Sequence, residues 1–368
     1  MKTLLTVIGA RPQWIKASAM SRVFQGDLHG LREHVVHTGQ HVSQEMSGIF
    51  FQELGMRDPD TRLLVNSNSM LRMGQMMSGI AKAIDEVRPD AVLVYGDTDS
   101  TLAGALAASR AQIPLIHMES GLRSFDRAMP EETNRILTDQ LSDVLFCPSE
   151  GAVNQLRKEG VFTGCRPGVL VMASGDLMLD TARWIGGDPI AHIGDENKVL
   201  LTMHRPSNVD DLDRLRLWMH SVKHCIEKKN LEVIFPVHPR TAHALENAFG
   251  PQWNNQLSLW GISVHPPAGY TQMMRWLKEV GMVWTDSGGV QKEAFFMHRP
   301  ALVLRNTTEW TELLDVGAAV LCSEPDALMA RFSDMIKNDF KSVFEADLFG
   351  DGQAAHHIAT ALQAWFRK

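Results

Sequence analysis

Long apolar runs, paired cysteines and an excess of basic charge are all missing from this sequence, and each absence closes off a class of function. No stretch approaches the roughly 18 apolar residues of a membrane-spanning helix. The segment Met1–Gly9 has one charge and a short apolar run before Arg11, Pro12 and Lys16, so no signal peptide is expected. Cysteine is confined to Cys147, Cys165, Cys225 and Cys322, with no C-x-x-C or zinc-type spacing, which reads as reduced thiols in the cytoplasm. A formal net charge of -7 argues against a general nucleic-acid or anionic-membrane binder. It does not exclude an anionic small ligand, because a local cluster of Arg and Lys decides that. No early segment reads G-x-G-x-x-G, so a nicotinamide-dinucleotide fold is not supported. No H-E-x-x-H or Cys/His cluster is present, and no metal is expected.

What is there is an ordinary globular composition, 44% hydrophobic and 21% charged, over 368 residues. That length exceeds the size at which one core usually stops growing, so two domains are expected. Short apolar runs alternate with amphipathic segments. Leu4–Ile8, His34–His37, Ala91–Tyr95, Pro114–Met118, Val144–Cys147 and Val169–Ala173 read as strands, and Met70–Val87, Thr101–Arg110 and Thr133–Leu141 as helices. The pattern restarts with strand candidates at Lys198–Met203, Glu232–Val237, Leu257–Val264, Gly281–Thr285 and Ala301–Leu304. The expected fold is α/β: two Rossmann-like doubly wound domains facing a cleft. The first spans 1–174 plus a C-terminal helix 353–368, and the second spans 175–352.

In parallel α/β sheets chemistry collects after the carboxyl ends of the strands. Gly9-Ala10-Arg11-Pro12-Gln13-Trp14-Ile15-Lys16 follows the first strand, and a Gly turn with two cations at a helix start can hold a diphosphate or be a solvated basic end. Asp97, in Gly96-Asp97-Thr98-Asp99-Ser100, reads as a catalytic carboxylate or a helix cap. Glu119, Arg123 and Pro130-Glu131-Glu132-Thr133-Asn134-Arg135 gather acids and arginines after one strand, either for acid/base work or as a surface salt-bridge network. Glu132 is expected to be a surface charge. His204-Arg205 and His238-Pro239-Arg240 follow later strands, where each His can instead be a packing residue. The sharpest signal is Thr285-Asp286-Ser287-Gly288-Gly289-Val290-Gln291-Lys292-Glu293: strand, Gly pair, helix, the layout of a nucleotide-diphosphate cradle with Glu293 placed to accept from ribose hydroxyls, or else only a tight turn at the Gly pair.

Taken in order, Gly9-x-Arg11-Pro12-x-x-Ile15-Lys16, Gly96-Asp97-Thr98, His117-x-Glu119-x-Gly121-Leu122-Arg123, Pro130-Glu131-Glu132-x-Asn134-Arg135, His204-Arg205, Asp286-Ser287-Gly288-Gly289-x-Gln291-x-Glu293, Thr308-Glu309 and Gly350-Asp351-Gly352-Gln353-Ala354 closely resemble the non-hydrolysing UDP-N-acetylglucosamine 2-epimerases. The resemblance implies a glycosyltransferase-B-type fold, a cytoplasmic homodimer, a UDP-activated amino sugar as substrate, and no cofactor beyond UDP retained as an intermediate. It implies elimination of UDP across C1–C2 to a 2-acetamidoglucal, then re-addition with C2 protonated on the other face. By matching position Asp97, Glu119, Glu131, His204 and Arg135 are the expected catalytic group. Arg11, Lys16, Arg123, Arg205 and His238 are expected to bind substrate, as are Ser287, Gly288, Gly289, Glu293 and Arg305.

Departures from the family pattern bear on the sugar. Ala10 and Gln13 stand where Gly-Thr-Arg-Pro-Glu is common, His204-Arg205-Pro206-Ser207 where many members read His-Arg-Arg-Glu, and Trp310-Thr311-Glu312 where Arg-Pro-Glu is usual. These variants resemble the branch acting on UDP-2,3-diacetamido-2,3-dideoxy-glucuronate in lipopolysaccharide synthesis; plain UDP-GlcNAc stands beside it. Gln40-His41 matches part of a site where some members bind UDP-GlcNAc as an activator. The rival readings are a glycosyltransferase of the same fold, a hydrolysing epimerase, and a non-catalytic UDP-sugar sensor.

Overall fold

Leu4, Leu5, Val7 and Ile8 have no exposed surface, nor have Val92, Leu93 and Val94. Strands buried on both faces read as continuous apolar runs, the mark of a parallel sheet covered by helices. The computed structural model describes residues 1–26, 30–40, 53–66, 68–162, 164–187, 194–338, 340 and 342–367.

The chain divides into two units, Met1–Thr181 with Asp347–Lys368, and Ala182–Ala346. In the first, β1 (Lys2–Ile8), β2 (Leu31–His37), β3 (Thr61–Arg62), β4 (Ala91–Tyr95), β5 (Leu115–Met118), β6 (Val144–Cys147) and β7 (Leu170–Ala173) form a parallel sheet ordered β3-β2-β1-β4-β5-β6-β7. In the second, β8 (Asp195–Thr202), β9 (Glu232–Pro236), β10 (Ile262–His265), β11 (Val280–Thr285), β12 (Ala301–Val303) and β13 (Ala319–Leu321) are ordered β10-β9-β8-β11-β12-β13. Each sheet winds outward both ways from its first strand. The loops after β1 and β4, and after β8 and β11, therefore open at a switch point, where such folds bind ligands.

The first unit runs to Thr181 rather than ending at residue 174, because the helix Leu177–Gly186 starts on this sheet's helices. Thr181 Oγ1 donates to the Ile15 carbonyl at 2.9 Å, and Asp180 accepts from the amides of Ala354 and Ala355 at 3.0 and 2.8 Å. Those last bonds cap the C-terminal helix Ala354–Trp365 within the same unit. The expected strand Leu257–Val264 is instead a helix, Trp253–Leu259, followed by β10. Gly261, at φ +88, makes the break between them. The edge strand β3 escapes the sequence because two residues cannot show a period, and β13 is a further edge strand that the sequence reading does not include. No helix among the described residues is long and apolar enough to cross a membrane.

Candidate functional site

In the first unit the turn after β1 is unusually close-packed. A Cβ on Gly9 would sit 2.0 Å from Ser100 Oγ and 2.1 Å from Thr38 Oγ1, so only glycine fits. Gln13, in the helix Arg11–Gln25, organises this turn. Its Oε1 accepts from the amides of Gly9 and Ala10 at 2.8 and 3.0 Å, and its Nε2 donates to the Tyr95 carbonyl and Thr101 Oγ1 at 2.8 and 2.9 Å. One side chain thereby ties the β1 loop to the end of β4. Two-ended use of this kind needs an amide, which both accepts and donates.

One turn further on, the Lys16 ammonium forms an ion pair with Glu119, the first residue after β5, and their side chains are only 6% and 12% exposed. Glu119 holds φ +65, a left-handed backbone that costs a side-chain-bearing residue about 1 kcal/mol. Strain kept at a charged residue on a sheet's mouth is a mark of a functional position. Asp97 follows β4 and pairs with Arg135 of the helix Pro130–Leu141. Burial raises the Asp97 pKa; Arg135 and Lys16 oppose the shift, and the charges of Glu119 and Glu131 add to it. Glu131, half-buried in the first turn of that helix, thus lies within electrostatic reach of Asp97. Asn134 Nδ2 donates to the Asp97 carbonyl at 2.9 Å. Three carboxylates and two cations are gathered at the carboxyl ends of neighbouring strands.

In the second unit the carboxylate of Asp286, fully buried after β11, collects the β8 loop. It accepts from the amides of His204 and Arg205, each at 2.9 Å, and from Asn208 Nδ2 at 3.1 Å. The His204 ring lies 3.3 Å from the same carboxylate and 5.7 Å, centroid to centroid, from the ring of His238. Ser287 caps the helix Gly288–Phe296 by position, without a side-chain capping bond, and that helix has no acid in its first turn. Its first amides and the positive end of its dipole are those an anion requires. A Cβ on Gly288 would fall 2.1 Å from Glu309 Oε1, so the 305–310 segment closes on the helix start. Lys292, fully buried, places its ammonium 4.0 Å above the Trp310 ring.

Residues 27–363 match the family model described as UDP-N-acetylglucosamine 2-epimerase. The chain belongs to the UDP-N-acetylglucosamine 2-epimerase family. It is 41% identical over 98% of its length to UDP-2,3-diacetamido-2,3-dideoxy-D-glucuronate 2-epimerase of Pseudomonas aeruginosa, 99% of which is covered. It is 37% identical to a UDP-N-acetylglucosamine 2-epimerase of Methanococcus maripaludis, with 96% of each chain covered. A crystal structure of the Methanocaldococcus jannaschii UDP-GlcNAc 2-epimerase in complex with UDP-GlcNAc and UDP superposes with a TM-score of 0.85 at 32% identity, covering 98% of this chain and 99% of that one. The fold is accordingly the two-Rossmann, glycosyltransferase-B-type fold, and the protein is an isomerase of the UDP-sugar 2-epimerase class.

Within this epimerase the expected residues fall into two groups. Asp97, Glu119, Glu131, Arg135 and Lys16 are brought together, with Arg11 half-buried at the start of the helix above Lys16. Asp97 is not the helix cap that its setting allowed, since Thr98 occupies that position. Ser287, Gly288 and Gly289 form the helix start as expected, and Glu293 lies buried in the same helix. Arg123, Arg305 and His238 have protein partners for their side chains. Arg123 is sequestered by Asp139 at 2.7 Å and Glu159 at 2.6 Å, with 2% of its side chain exposed. Arg305 is held by Glu309 at 2.9 Å. His238 caps the helix Pro239–Phe249 through Arg240 N at 3.2 Å, and Arg205 caps the short helix Pro206–Val209 by position. Glu132 is no surface charge. It is 1% exposed and accepts from the amides of Ser124 and Phe125 at 2.8 and 3.1 Å and from Arg135 at 3.2 Å. Burial would raise its pKa, but those amides, the Ser124 hydroxyl and Arg135 hold it below the ordinary value. Gln40 accepts from the Ser100 amide at 3.0 Å, while His41 lies outside the described residues. Sequence reasoning missed Gln13, read there only as a departure from the family pattern, and Asp286, whose glycine neighbours drew the attention.

Proposed function

We propose that this epimerase inverts carbon 2 of a UDP-linked 2-acetamido sugar without net hydrolysis, by anti elimination and re-addition of UDP. The observation that carries the reading is that Asp97 and Glu119, from adjacent strand ends, pair with Arg135 of the helix Pro130–Leu141 and Lys16 of the helix Arg11–Gln25, with the Glu131 charge felt at Asp97. The C2 hydrogen has no carbonyl beside it and is not acidic, so cleavage of the C1–O bond leads. UDP leaves with the bonding electron pair, a carboxylate removes the C2 proton, and the C–H electrons form the C1=C2 bond of a 2-acetamidoglucal. In the return step a second carboxylic acid protonates C2 on the opposite face, and a UDP oxygen closes on C1. Carboxylates suit both tasks, steadying the cationic sugar carbon and moving protons. In the second unit, His204 and the Ser287–Gly289 amides are proposed to stabilise the growing diphosphate charge. The chemistry as written balances without nicotinamide or metal. Incubation in deuterated water tests it: deuterium is expected at C2 of both epimers with no stoichiometric release of UDP. Absence of exchange points to a transferase, and UDP release to a hydrolysing epimerase; either result overturns the reading.

The proposed sugar is UDP-2,3-diacetamido-2,3-dideoxy-glucuronate, with UDP-GlcNAc as the second reading. Identity of 41% to the epimerase named for that uronate, against 37% to one named for UDP-GlcNAc, supports this order, as do the Pro206 and Trp310 departures. Offering both sugars in one assay decides it, and turnover of UDP-GlcNAc alone removes the uronate. The product then belongs to surface-polysaccharide or lipopolysaccharide precursor synthesis. A homodimer is part of the proposal and is checked by sedimentation velocity.

A further inference from the structure

Both ring nitrogens of His117 face acceptors. Nδ1 lies 2.7 Å from Asp139 Oδ1 and Nε2 lies 2.8 Å from the Gly96 carbonyl, and neither His117 nor Asp139 has any exposed side chain. A neutral imidazole offers one N–H and one lone pair, so it can satisfy only one of these contacts and must set a lone pair against oxygen in the other. Either the ring carries a second proton or Asp139 carries one. Asp139 already accepts from Arg123 at 2.7 Å and from the Gly121 amide at 3.2 Å, and so is ringed by donors. Burial would raise its pKa, but the His117 hydrogen bond and charge, and then Arg123, bring it below the ordinary carboxylate value. Arg123 is also held by Glu159 at 2.6 and 2.8 Å. With Asp139 ionised and the ring doubly protonated, these four side chains sum to zero charge, the state a buried cluster favours.

We propose that His117 is a buried imidazolium and a positioning residue, pinning the turns that carry Asp97 and Glu119 to the single carboxylate of Asp139. Gly96, immediately before Asp97, takes φ +62, gives its amide to the Met118 carbonyl at 2.9 Å and its own carbonyl to His117. Gly121, two residues after Glu119, takes φ +82 and gives its amide to Asp139. Glu119 itself, at φ +65, lies between these pins. The catalytic consequence rests on the roles proposed above for Asp97 and Glu119; the protonation state does not.

Neutron diffraction from crystals of the perdeuterated protein reads that state directly. Deuterium is expected on both Nδ1 and Nε2 of His117, with Asp139 bare; deuterium on one ring nitrogen only, or on the Asp139 carboxyl, overturns the imidazolium. Two isosteric variants test positioning. In His117→Asn the amide takes the place of Nδ1 and frees the Gly96 carbonyl; in His117→Gln it takes the place of Nε2 and keeps that bond. His117→Asn is expected to lower kcat about tenfold or more with KM changed less than about threefold, the loss of one buried hydrogen bond felt in the transition state. His117→Gln is expected to keep more of kcat and to melt lower. Losses in both variants that follow melting temperature, with no kcat-against-KM split, overturn the positioning role. Should neither fold, Asp139→Asn is read in the same way, and an unchanged kcat there overturns it. If the wild-type protein turns over no UDP-sugar, the functional reading fails while the neutron result still decides His117.

Discussion

Lys16 and Glu119 stand 103 residues apart in the chain and meet as a nearly buried ion pair. Removing one member of such a pair leaves the other charge uncompensated, at about 3 to 5 kcal/mol. Lys16→Met is therefore expected to lower kcat/KM by about 100-fold or more, the scale of a lost acid/base contribution. The double variant with Glu119→Gln should lose much less than the sum of the single losses. Steady-state epimerisation of the four proteins checks this, and strict additivity would mean that the two residues act independently.

Arg135 opposes the burial that raises the Asp97 pKa. Taking its charge away in Arg135→Gln removes that opposition, so the Asp97 pKa moves further up. If ionised Asp97 works in the reaction, the acidic limb of the kcat/KM profile moves to higher pH in the variant. A profile that keeps its limb would separate Asp97 from the limb.

Asp286 holds the β8 loop through the amides of His204 and Arg205 and the side chain of Asn208. Asp286→Asn turns a carboxylate into a group that presents N–H to those donors. The expected loss is about 2 to 4 kcal/mol of stability, read by denaturant unfolding, with weaker UDP binding alongside.

Gly288→Ala would press a methyl group against Glu309, itself restrained by Arg305 at 2.9 Å. UDP affinity, measured by calorimetry, is expected to fall about tenfold, close to the value of one anion-binding amide contact. Unchanged affinity would place the diphosphate elsewhere.

Glu33 is buried beneath the hydroxyls of Thr6 at 2.7 Å and Ser21 at 2.5 Å, and burial raises its pKa despite those bonds and Arg57. Folding therefore takes up a proton at Glu33. That contribution is complete below the unfolded-chain value near ~4.3 and is lost as pH rises through the folded value. Glu33→Gln should thus gain melting temperature over wild type progressively as pH rises above the unfolded-chain carboxylate value. A gain that is flat with pH would show that Glu33 does not titrate there.

Much of this architecture was legible beforehand for a simple reason. Strands covered on both faces, such as Ala91–Tyr95 and Val144–Cys147, carry only apolar residues, Tyr or Cys, and their bounds agree with the sequence reading. The chemistry-bearing loops follow such strands and could be found by position. Pairing could not. Arg123 looked like a ligand contact and Glu132 like a surface charge, because the partners that bury them are supplied by Asp139 and Glu159 in one case and by the 124–125 turn in the other. Leu257 looked like a strand residue because a short apolar run has no length from which to tell strand from helix.

By itself the sequence determined the two α/β units, the loops that carry carboxylates and glycines, and the family. These depend on local pattern: apolar runs, Gly turns and ordered motifs. Only the tertiary structure decided which charges face one another: Lys16 with Glu119, Asp97 with Arg135, His117 with Asp139 and the Gly96 carbonyl. The physical reason is that desolvation and Coulomb energy depend on neighbours in space, and a parallel sheet draws those neighbours from loops separated by whole strand–helix units.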